Sequence, residues 1–257
     1  MNTSVEDFKL SLRVFKDNLR AYLSVVLFVI AGSLSVAIFG LATLGFVIII
    51  REFNLNLTVD ASLLIFLFIS IIFLFVLLVV FVFSAFNATL YGLSYDIMSS
   101  GNLYTEFRNA FIHFRKHWLA YIIISIPMLF ISMIYQYIPR EQLGAYILYI
   151  FIDFLSIMFF TGLLTSVTAK GKFFYSFKES ISLLRRDFRR ISLTIGIYFL
   201  IFRTPYIIGV YIAKLGLTID YIILILLMGN FILLLFASLI GSPILSILAT
   251  RIYNTNF

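Results

Sequence analysis

The stretch Phe177–Ile191 reads FKESISLLRRDFRRI, and two others, FKLSLRVFKDNLRAY at Phe8–Tyr22 and FRNAFIHFRKHWLAY at Phe107–Tyr121, align with it without a gap. In each, apolar residues recur at intervals of four, three, four and three: Phe8, Leu12, Phe15, Leu19, Tyr22; Phe107, Phe111, Phe114, Trp118, Tyr121; Phe177, Ile181, Leu184, Phe188, Ile191. That spacing lays one apolar stripe along a helix. Cations take another face, through Lys9, Arg13, Lys16 and Arg20 in the first copy and Lys178, Arg185 and Arg189 in the third. Each copy then enters a long hydrophobic run. The pattern predicts a helix at a membrane interface, with its apolar side in lipid or against a bundle and its cations near water and headgroups.

The rest of the chain demands a membrane. Of 257 residues, 62% are hydrophobic and 12% charged, with a mean hydropathy of +1.09, whereas soluble domains are about one half apolar and one quarter charged. Six runs are long enough to cross a hydrocarbon core of about 30 Å as helices: Tyr22–Ile50, Ser62–Phe86, Leu119–Ile138, Leu143–Thr168, Ile191–Ile212 and Tyr221–Leu248. The expectation is an all-α polytopic membrane protein forming a single integral membrane domain. Its six transmembrane helices make three parallel two-span repeats, approximately 8–99, 107–169 and 177–250, each preceded by an amphipathic interfacial helix. Gly92 and Gly162 stand fifteen residues before the leading Phe of the last two copies, and Gly101 and Gly171 six before it. This predicts equivalent connectors with a glycine stop.

Charge sets the expected orientation. On this span assignment fifteen Lys and Arg lie on the side of the amino terminus and three, Arg51, Arg140 and Lys214, on the other. The positive-inside rule then puts both termini in the cytoplasm of a cell-membrane protein. The net charge of +7 follows the membrane edges, so no nucleic-acid partner is expected. Membrane lipids are the expected partners, with Arg185, Arg186, Arg189 and Arg190 as the anionic-lipid contacts. A homo-oligomer and a membrane-protein complex both fit such a scaffold.

Few polar residues interrupt the apolar runs. Asp153 and Arg203 are the formal charges well inside them, and a lone charge in hydrocarbon is costly. Counted from the outer ends of their runs, both lie about 14–15 Å deep at 1.5 Å per residue. They form either a structural ion pair or a solute or proton site. Asn87, Gln136 and Asn230 either hydrogen-bond helices together or line a polar cavity. Pro127, Pro205 and Pro243 each interrupt helical hydrogen bonding.

Catalytic signatures are missing. With no cysteine, disulfides and thiolate chemistry are excluded. His113 and His117 have the spacing of a zinc pair, but HFRKH lacks the internal Glu of the hydrolytic motif, so both read as structural or interfacial. There is no phosphate loop, dinucleotide fingerprint or nucleophile elbow. No catalytic, cofactor-binding or metal residue is nominated.

The stretch YGLSYDIMSSGNLYTEFRNAFIHFRKHW at Tyr91–Trp118 resembles a pattern in poorly characterised prokaryotic six-span membrane families. These are related to the membrane domain attached to some glycerophosphodiester phosphodiesterases. The resemblance extends over most of Phe8–Arg251 and implies an accessory or lipid-associated membrane module. The soluble phosphodiesterase domain has no counterpart here, so no catalytic residue carries over. Three functional classes follow: a non-enzymatic assembly or lipid-organising protein, a transporter or permease component for a small solute or lipid, and a membrane-embedded lipid enzyme.

Overall fold

A computed structural model describes residues 2–52, 61–100, 107–134, 143–203 and 237–256. Among them the chain is all helical: α1 Asn2–Asp17, α2 Leu19–Glu52, α3 Ala61–Ser100, α4 Phe107–Ile134, α5 Leu143–Lys170, α6 Phe173–Tyr198 and α7 Ser242–Asn254. Two π-helical turns, Phe199–Arg203 and Ala237–Gly241, each end two residues before a proline, Pro205 and Pro243. Proline has no N–H to return to the preceding turn, and the helix widens there. Pro127 behaves differently and stays within α4.

The six-span expectation is corrected. Among the described residues three helices are long and apolar enough to cross a membrane, Ile69–Ser99, Phe111–Ile131 and Gly144–Lys170. A further apolar stretch, Leu19–Gly32, opens the 34-residue helix α2. The run expected at Ile191–Ile212 leaves α-helical geometry at Phe199, and residues 204–212 lie outside the described residues. Of Tyr221–Leu248, the described part begins at Ala237 and passes into α7. The count of three two-span units falls with the six spans.

The helix α7 is a plug rather than the end of a lipid-facing span. Ile244, Ile247 and Leu248 are buried with Tyr22, Leu90, Leu93 and Tyr198 in one core cluster. Ala249 joins a second cluster with Tyr121, Leu163 and Leu164, and Ile252 a third with Met158, Leu183 and Ile195. Around this plug α3 changes character along its length. Phe66, Ile69, Ile72 and Phe73 are exposed, whereas Ser84 through Ser94 are buried without interruption. At about 60 Å for its 40 residues, α3 is twice as long as the hydrocarbon is thick. Its apolar half suits lipid, and its buried half packs the end where α1 meets α7, here termed the basic end.

The expected connectors are helical. Gly92 and Gly162 sit inside α3 and α5, so GLSYDIMSS and GLLTSVTA form final helical turns. The stop falls at Gly171 (φ +72°), whose N–H donates to the Val167 carbonyl at 2.8 Å as at a left-handed helix end. Gly101 lies outside the described residues.

Candidate functional site

The three amphipathic copies share a feature that the stripe did not predict. Each is two helical segments meeting at the tenth residue after the leading Phe. In the first copy α1 ends at Asp17 and α2 begins at Leu19, with Asn18 between them. In the second, His117 departs from helical geometry inside α4 (φ −129°, ψ 25°), and in the third Asp187 does so inside α6 (φ −121°, ψ 27°). A different contact holds each break. Asn18 Nδ2 donates to the Val14 carbonyl at 3.0 Å, His117 packs on Gly171, and Asp187 accepts from Asn256 Nδ2 at 2.6 Å.

The apolar stripe of the copies is divided: Phe15, Tyr22, Phe114, Tyr121 and Ile191 are buried in the core, and other stripe residues face outward. Phe177 is 41% exposed, Trp118 51% and Phe188 55%, and Leu12 and Leu19 are exposed too. The inner face of α6 starts with Ser176, Glu179, Ser180 and Leu183, and that of α1 contains Ser4, Asp7, Ser11 and Phe15. Ser11 and Ser180 are equivalent positions. Ser180 Oγ donates to the Phe159 carbonyl at 3.0 Å, and a Cβ on Gly162 would lie 2.9 Å from that hydroxyl, so α5 and α6 meet closely. In lipid small polar residues pack helices together, while the exposed part of the stripe is free to face the bilayer.

These inward residues build a polar interior at the basic end. Asp7 on α1 accepts from Arg190 Nε of α6 at 2.8 Å and from Arg251 Nε of α7 at 2.5 Å. Burial alone would raise its carboxyl pKa, but the two guanidinium hydrogen bonds together hold it below the usual carboxylate value. Arg190 also donates to Thr255 Oγ1 at 3.0 Å. Glu179, 6% exposed, accepts through Oε2 from Ser166 and from Tyr253 at 2.9 Å, joining α5, α6 and α7. Burial, and then Glu179 itself, push the Tyr253 phenol pKa up. Tyr22 and Ser94 hydroxyls lie 2.9 Å apart and Ser94 and Ser246 2.6 Å apart, while Tyr121 pairs with Thr168 at 2.6 Å. Asp96 and His113 meet at 2.9 Å, with Tyr95 edge-on to the imidazole.

A cleft of about 510 Å3 opens at the α4 break, between Lys116, His117 and Trp118 on one side and Gly171, Phe173 and Phe174 on the other. Lys170 places its ammonium 5.9 Å from the Tyr175 ring centre nearby.

The residues expected from sequence are dispersed. Of the four arginines, Arg185, Arg186 and Arg189 are exposed, and Arg190 is partly buried on Asp7. Arg186 reaches the Asn256 carbonyl at 3.5 Å. Asp153 is 3% exposed on α5 and has an interacting neighbour. Arg203 ends a π-helical turn, and its side chain lies outside what the structure describes. Asn87 is buried and donates to the Phe83 carbonyl of its own helix at 3.1 Å. Gln136 and Asn230 lie outside the described residues. Sequence reasoning missed Asp7 and Glu179. Both sit off the apolar stripe; Asp7 aligns with Glu106 and Ser176, a signal for a polar inward position, whereas Glu179 aligns with Leu10 and Asn109 and carries no such signal.

No family model, curated protein or solved structure matches the chain. Fold and composition define its class: it is a multi-pass helical membrane protein with apolar spanning helices. Among the described residues no group of three or more His, Cys, Asp or Glu is placed to hold a metal ion.

Proposed function

We propose that this chain is a non-enzymatic, lipid-organising component of the cell membrane, with its basic end and both termini on the cytoplasmic side. The carrying observation is the set of exposed apolar residues on the three amphipathic copies, Leu12, Leu19, Trp118, Phe177 and Phe188, flanked by exposed cations such as Lys16, Arg20, Arg115, Arg185 and Arg189. Such a collar inserts side chains at the headgroup boundary and attracts anionic lipid, each cation contributing about 1 kcal/mol near a charged surface. The resemblance of Tyr91–Trp118 to lipid-associated membrane modules points the same way.

The test is the lipid shell of the full chain in mixed phosphatidylglycerol and phosphatidylcholine nanodiscs, read by native mass spectrometry. The expected result is a shell enriched in phosphatidylglycerol at low salt, with the enrichment reduced in Arg185→Gln/Arg189→Gln. A shell matching the bulk composition rejects the reading, and substrate flux or lipid turnover by the same preparation replaces it with transport or catalysis.

A further inference from the structure

The cleft at the α4 break has a composition that the collar alone does not require. Its walls combine the ammonium of Lys116 and the imidazole of His117 with the rings of Trp118, Phe173 and Phe174, and among the described residues no carboxylate lines it. Its volume of about 510 Å3 falls within the ~300–1,000 Å3 of small-molecule sites. Such a space takes a headgroup and glycerol but not two full acyl chains.

A track for the chains leads out of the cleft. Leu119 and Ile123 line its edge, and Leu119, Ile123, Ile126 and Phe130 are all exposed. Their spacing of four, three and four places them on one face of α4. From Leu119 to Phe130 the helix rises about 16 Å, close to half of a hydrocarbon core about 30 Å thick, which is the depth of one leaflet. Trp118 stands where the polar wall gives way to the apolar track, the position that tryptophan favours at a membrane interface.

We propose that this cleft is a binding site for one anionic phospholipid, its phosphate at Lys116, its glycerol against Trp118 and Phe173, and an acyl chain along Leu119, Ile123, Ile126 and Phe130. The proposal rests on the lipid-organising reading and gives it a defined site. A free phosphate shares the headgroup chemistry but leaves the one-leaflet track unused. Gly171 shapes the site by allowing α5 to end directly against His117.

Trp118 is the only tryptophan of the chain, so its fluorescence reports this site alone. The full-length protein is reconstituted in phosphatidylcholine vesicles, and brominated-chain phosphatidylglycerol or brominated phosphatidylcholine is titrated in. The expected result is several-fold stronger quenching by the phosphatidylglycerol at low mole fraction, saturating as one site, with the preference lost in Lys116→Gln. Lys116 is exposed, and an unchanged thermal midpoint checks that this variant is folded. Equal quenching by the two lipids, or a preference that survives Lys116→Gln, overturns the site. Relief of quenching by millimolar inorganic phosphate at constant ionic strength overturns it in favour of a free-anion site. Arg185→Gln/Arg189→Gln separates the two readings. Loss of shell enrichment with retained Trp118 preference is expected if both hold, whereas Trp118 preference lost in this variant and kept in Lys116→Gln leaves a diffuse surface attraction and no site.

Discussion

Gly171 and His117 occupy adjoining space so tightly that a Cβ on the glycine would stand 2.1 Å from the imidazole Cε1. The same glycine has φ +72°, a conformation costing an L-residue about 1–2 kcal/mol. Gly171→Ala therefore carries two penalties, backbone strain and expulsion of the His117 ring from its seat. The expected loss is about 2–3 kcal/mol, seen as a lower thermal midpoint in detergent. Because Trp118 follows His117, the variant also shifts the Trp118 emission maximum. A stable variant with unchanged emission contradicts the close packing.

Asp7 links α1 to α6 and α7 through two guanidinium groups. Asp7→Asn leaves Arg190 and Arg251 facing each other without a carboxylate, and breaking a buried pair in this way costs about 3 kcal/mol. The pH dependence has a definite sign. The folded pKa of Asp7 is below the ordinary 3.8, so its stabilisation is complete above the unfolded value and is lost as pH falls through the folded one. Wild-type stability should decline below about pH 4, and Asp7→Asn should show a shallower decline, measured by thermal unfolding between pH 3 and 6.

Buried hydroxyls divide into two groups. Ser94 joins Tyr22 to Ser246, so Ser94→Ala leaves the buried Tyr22 phenol without its partner, at about 1–3 kcal/mol. Ser176 Oγ is buried with no hydrogen-bond partner among the described residues, and Ser176→Ala removes an unsatisfied group instead. Its stability should lie within about 0.5 kcal/mol of wild type or above it. Equal losses in the two variants would show that Ser176 is satisfied in solution.

Membrane class and helical content were legible because they depend on composition and period, which act over many residues at once. The three amphipathic copies were legible for the same reason, down to equivalent residues such as Ser11 and Ser180. The break within each copy was not, since Asn18, His117 and Asp187 share a position but no side-chain chemistry. The direction of the stripe was open as well, because the same period serves a helix facing lipid and one facing a core. Span counting failed where an apolar run changes role along its length. Ser242–Asn254 is apolar enough to extend a span, but it is enclosed by α1, α3, α5 and α6. The polar interior was hidden by sequence distance: Asp7 meets Arg251 across nearly the whole chain, and no local pattern encodes that meeting.

Asp153 and Arg203 give the last prediction. The phenyl rings of Phe154 and Phe199 meet edge-on at 5.5 Å, so the π-helical turn that ends at Arg203 packs on α5 next to Asp153. That neighbourhood makes a structural ion pair the expected arrangement. Asp153→Asn or Arg203→Gln alone should lower the folded yield in detergent, because each strands the opposite charge in an apolar layer. The double variant should recover part of the loss, giving a coupling of about 1 kcal/mol or more in a double-mutant cycle. Additive losses would assign the two charges to separate environments, and a solute-dependent flux abolished by either single change would assign them to a transport site.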